Sequence, residues 1–105
     1  MSAEQVATTY IKLLVMDDKK AAYDLLQDRC PYTHKAGFAS LSRVTASVAE
    51  ERSDGVTVSV TMVGIPMNSK GLVGNTSISQ TLLLRLLWMD DLWRVECPVA
   101  LSPPS

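Results

Sequence analysis

Few side chains in this 105-residue chain can do chemistry at neutral pH, and each has a plainer reading. His34 is the only histidine, and its ordinary pKa makes it the first place to look for a general acid or base. The nearby chain offers it only Lys35 and, upstream, Asp28, so the plainer expectation is an exposed loop histidine. Tyr10 carries a phenol that either buries its ring and bonds its hydroxyl or reaches a cavity. Cys30 and Cys97 are the only thiols, and they lack the close spacing of a zinc motif. Either they form a disulfide, which the chain-entropy model values at about 4 kcal/mol, or they are two reduced, half-buried thiols. The acidic pairs Asp17-Asp18, Glu50-Glu51 and Asp90-Asp91 read as solvated breaks and turns. There is no Gly-rich phosphate loop, nucleophile elbow or metal-binding helix, so neither metal nor cofactor is expected.

Such groups must be positioned by a core, and the composition provides one. With 47% hydrophobic residues the chain is no disordered tail, and its length fits one domain, set at 1–99. Ten basic against eleven acidic residues argue against nucleic-acid binding. The sequence contains no apolar run long enough to span a membrane. Its Met1-Ser2-Ala3-Glu4 start lacks a signal-peptide pattern, although a leader or anchor could have preceded a trimmed form. Localisation therefore follows the thiols: extracytoplasmic or cell envelope if Cys30 and Cys97 are bonded, cytoplasmic otherwise.

Ser2-Ala3-Glu4-Gln5 matches a capping box, and Val6, Tyr10, Leu13 and Leu14 make an apolar stripe on a helix over about 3–16. Asp17-Asp18 breaks it and caps a second helix, with Ala22, Leu25 and Leu26 on its buried side and Pro31 as its stop. Thr33 is the expected cap of a third, shorter helix carrying Phe38 and Leu41, weakened by Gly37. After Ser42 the period changes to two: Val44, Ala46 and Val48, then Asp54-Gly55 as a hairpin, then Val56, Val58, Val60 and Met62. Gly64, Pro66, Gly71, Gly74 and Asn75 mark a long connection. A third strand follows over about 76–89, a turn at Asp90-Asp91, and a last strand over 92–97 ending at Pro98. Residues 100–105 read as a disordered Pro/Ser tail.

The fold class is α+β: N-terminal helices packed on an antiparallel sheet of about four strands. Gln80 is the one polar residue on the inward parity of the third strand, so it needs partners if buried and is exposed if the strand starts later. Leu83 and Leu87 lie on the opposite parity with Arg85 between them. Either a second copy of the chain covers that face, making a homodimer through the sheet, or a bend or bulge turns the strand. Trp88 and Trp93 flank the last turn and are expected to pair in the core, with ligand stacking as the alternative.

The run Asp18-Lys19-Lys20-Ala21-Ala22-Tyr23-Asp24-Leu25-Leu26, behind an amphipathic helix with a tyrosine, resembles the start of small nuclear-transport-factor-2-like domains. The close, a long hydrophobic strand, then Met89-Asp90-Asp91 and Leu92-Trp93-Arg94-Val95, is similar too. The pattern is nearest to lumazine-binding-like proteins of the bacterial envelope. The resemblance implies a cone, a curved sheet wrapped around a helix with a cavity at its open end. It also places Tyr32, Thr33 and His34 near the cavity mouth. Ketosteroid isomerases of that superfamily use a helix tyrosine with a basic aspartate and a second acid. Tyr10 matches the helix position, but no Asp or Glu stands on the inward parity of the strands here.

The expectation is thus a non-catalytic binding or protein-interaction domain with an apolar pocket or sheet face. Its partner would be a small hydrophobic ligand or another protein. The alternative is an isomerase or cyclase acting on a small hydrophobic substrate. Tyr10, His34, Gln80, Trp88 and Trp93 are the candidate ligand contacts, with no catalytic set assigned.

Overall fold

Ser2 starts helix α1 (Ala3–Val15) as its composition demands: its side-chain oxygen accepts from the Gln5 backbone N–H at 3.2 Å, and Gln5 Oε1 accepts from the Ser2 N–H at 2.8 Å. In this computed structural model, residues 1–67 and 76–98 are described. The expected features at Gly71, Gly74, Asn75 and the 100–105 tail fall outside them. Helix α2 (Lys19–Asp24) is capped by Asp18, whose carboxylate accepts from the Ala21 N–H at 3.2 Å. It ends well before Pro31, contrary to the sequence reading. Leu25, Leu26 and Gln27 instead run along the sheet edge. The Val95 N–H donates to the Leu25 carbonyl at 2.8 Å, and the Gln27 N–H donates to the Val95 carbonyl at 3.0 Å. An open strand edge offers unpaired backbone groups, and closing it outweighs one more helical turn.

The expected third helix is absent. Residues 31–37 carry no regular structure, and Phe38 and Leu41 belong to strand β1 (Phe38–Arg52). Gly37 has φ 75°, a left-handed backbone that glycine adopts freely, and it turns the chain into the strand. Phe38 then pairs with Pro66 and Leu41 with Gly64 of strand β2 (Gly55–Pro66), so long-range pairing overrides a weak local helix preference. It follows that Glu50 and Glu51 lie inside β1 rather than in a turn, and that Gly64 and Pro66 lie in β2 rather than in the connection. Gly64 is buried so close to the Ser40 carbonyl that a Cβ there would collide with it.

Strands β3 (Ile78–Met89) and β4 (Leu92–Val95) complete a four-stranded antiparallel sheet in the order β1-β2-β3-β4. Asp90 and Asp91, at φ 54° and 64°, form the two-residue turn between β3 and β4 with the left-handed backbone of a type I′ hairpin. Three register shifts in β1 bend the sheet, which curls as a half-barrel around α1.

The core fills the space between helix and sheet. Val6, Ala7, Tyr10 and Ile11 of α1 meet Val58, Val60 and Met62 of β2, Leu84 and Leu86 of β3, and Val95 of β4, all buried. On the other face of the sheet, Thr61 and Thr81 hydroxyls lie 3.3 Å apart and Arg85 bridges Asp54 at 2.7 Å and Glu96 at 3.0 Å. Leu83 is 61% exposed there, while Leu87 is half-buried. No helix among the described residues is long and apolar enough to cross a membrane.

Candidate functional site

Tyr10 sits on the buried stripe of α1, among aliphatic side chains that offer its hydroxyl nothing. Segment 31–37 supplies what is missing. The His34 backbone N–H donates to the Tyr10 oxygen at 2.9 Å, and the same oxygen lies 2.8 Å from His34 Nδ1. The two rings meet edge to face at 5.5 Å. The proton positions follow from the partners that the phenol needs. The phenol is fully buried, so its O–H must be satisfied, and Nδ1 is the acceptor in reach. That arrangement requires the neutral tautomer of His34 with its proton on Nε2, a nitrogen with no hydrogen-bond partner among the described residues.

Burial pushes the Tyr10 pKa up to about 12, against the opposing effect of the hydrogen bond from the His34 backbone. Burial also lowers the His34 pKa below its ordinary value, since desolvation disfavours the imidazolium. Both shifts favour the neutral form of the group concerned. The exposed loop histidine of the sequence reading is thus corrected: His34 is half-buried and tied to α1.

His34 lines a cleft of about 560 Å³ between segment 31–38 and the junction of α1 with α2. Leu14, Val15, Phe38 and Met67 give it apolar walls, Tyr23 and Tyr32 add rings, and Asp17, Lys19 and Lys35 bring charge. The wall itself is anchored. The Tyr23 hydroxyl donates to the Pro31 carbonyl at 3.3 Å, and the Met67 N–H donates to the Gly37 carbonyl at 3.0 Å. At the start of the segment Cys30 is joined to Cys97 as a disulfide, with Cα atoms 5.6 Å apart. Beside that bond the Cys97 N–H donates to Gln27 Oε1 at 2.9 Å.

The other sequence-selected residues lie elsewhere. Trp88 and Trp93 meet edge to face at 5.1 Å, and together with Leu25 and Leu92 they line a small groove of about 170 Å³. Trp88 is 53% exposed instead of filling the core, because it stands at the far end of β3 beside the exposed turn. Gln80 is exposed, opposite Met62 at the open start of β3, and needs no buried partner. A further cleft of about 530 Å³ separates the end of α1 from the start of β1, and it holds neither the histidine nor any tyrosine.

Sequence reasoning put Tyr32 and Thr33 beside His34 but missed Tyr23, Phe38 and Met67 as walls of the same cleft. The sequence pattern places Phe38 on a helix, which would face it differently from its position in β1. Among the described residues no carboxylate is hydrogen-bonded to Tyr10 or His34, and no cluster of three or more His, Cys, Asp or Glu could hold a metal ion. No family model matches the chain, and no curated protein or solved structure matches it either.

Proposed function

We propose that this chain is a non-catalytic binding domain of the nuclear-transport-factor-2-like kind, holding a small, largely apolar ligand in the cleft beside His34. The observation that carries this reading is the reciprocal pairing of Tyr10 and His34. The phenol donates to Nδ1 and accepts from the His34 N–H, so neither its proton nor its lone pair is directed at a ligand. A proton-shuttling enzyme needs a base poised near the operating pH, whereas burial drives these two groups in opposite directions away from it. What the pairing does accomplish is to fix one cleft wall rigidly against α1, as binding sites require.

A second reading is favoured by Leu83, which stands 61% exposed among Ser and Thr side chains on the outer face of the sheet. That face would serve as a protein contact, a homodimer included.

The test is an ¹⁵N NMR titration with small apolar fragments, followed by a search for turnover of hydrophobic ketones. Fragment binding should shift the amides of residues 32–38 together with Leu14 and Val15, without product. Conversion of a ketone by the purified protein, lost in Tyr10→Phe, would overturn the proposal in favour of an isomerase.

A further inference from the structure

The cleft's own polar groups narrow the ligand. We infer that it takes a small organic acid, a carboxylate carried on an apolar or aromatic body, an inference that rests on the cleft being the binding site. Because Tyr10 occupies Nδ1, His34 can offer the cleft only an N–H donor from Nε2. A ligand group meeting that nitrogen must therefore be a hydrogen-bond acceptor. Among the described residues, Lys19 and Lys35 line the same cleft against one carboxylate, Asp17, so their formal charge sums to plus one. A donor held in place by a buried partner, with exposed lysines lining the same cleft, suits a single negative charge.

The remaining walls set the body of the molecule. Tyr32, Phe38, Leu14 and Met67 surround a space of about 560 Å³, a size that suits a small-molecule ligand. The lining includes no arginine, whose planar fork recognises phosphate in two-point fashion. A carboxylate is thus favoured over a phosphate ester. Asp17, an exposed residue of the lining, works against the acid, which gives the inference a signature of its own: removing that charge should improve binding.

Phenylacetate and its neutral counterpart phenylacetamide separate charge from shape, and both can be titrated by NMR into the intact protein. Phenylacetate should bind about tenfold more tightly, the scale of one charge-assisted hydrogen bond. Lys35→Gln, at an exposed position, should narrow that difference, and Asp17→Asn should widen it. His34→Ala should abolish it, with circular dichroism confirming that the variant is folded. Equal binding of the two compounds would overturn the inference and leave the cleft standing as a neutral apolar site. Binding of neither at millimolar concentration would remove the cleft itself as the ligand site, and the inference with it.

Discussion

Val58, Val60, Leu84 and Leu86 are held under α1 by burial and shape alone, whereas His34 is held by two hydrogen bonds to one buried oxygen. The first region is generic: any apolar set of similar volume would fill it at modest cost. The second is specific, since only a donor-acceptor pair in the right geometry satisfies the Tyr10 hydroxyl. Stability is therefore concentrated in the sheet core, whereas the proposed binding role falls to segment 31–37, which has no regular structure. The anchors of that segment are separately removable: the disulfide at Cys30, the Tyr23–Pro31 bond, the Tyr10 bonds at His34 and the Gly37–Met67 bond.

Each region can be broken on its own. Reducing the Cys30–Cys97 bond opens a covalent cross-link spanning a sequence separation of 67 and should lower unfolding stability by about 4 kcal/mol. Chemical denaturation with and without reductant reads this directly, and an unchanged midpoint would mean that the bond constrains nothing. Leu84→Ala should cost about 3 kcal/mol by leaving a cavity under α1. It should leave the His34 ring resonances where they are. A concerted shift of His34 in that variant would show that core and cleft are not separable.

Titration gives a smaller effect with a defined sign. A phenol at about 12 in the folded protein instead of 10.0 stabilises the fold fully below pH 10. That contribution, about 2–3 kcal/mol, should disappear as pH rises from 10 to 12. Tyr10→Phe should abolish this alkaline loss. His34 acts at the other end. Its folded pKa lies below the ordinary 6.5, so its contribution is complete above pH 6.5 and declines as pH falls through the folded value. Thermal melts across both pH ranges check the two signs together.

The parts legible in the sequence are those governed by local rules. The capping box at Ser2 and Gln5 needs only four residues, and the alternation of Val56, Val58, Val60 and Met62 needs only a pleat. The misreadings share a cause in contacts distant along the chain. Leu25 to Gln27 leave the helix because the edge of β4 is there to be closed, and Phe38 joins a strand because Pro66 lies opposite. The Tyr10–His34 pair is of the same kind. One clue was present: a tyrosine on an otherwise aliphatic stripe must find a partner once buried. Nothing in the residue spacing identified that partner as the lone histidine.

The neutral, Tyr10-bonded state of His34 underlies both the binding reading and the ligand class, and ¹⁵N NMR of the imidazole measures it directly. The expected spectrum at pH 7 shows a protonated Nε2, an unprotonated Nδ1 shifted by a hydrogen bond that disappears in Tyr10→Phe, and a titration midpoint below 6.5. A proton on Nδ1, or a midpoint above 6.5 insensitive to Tyr10→Phe, would contradict the account.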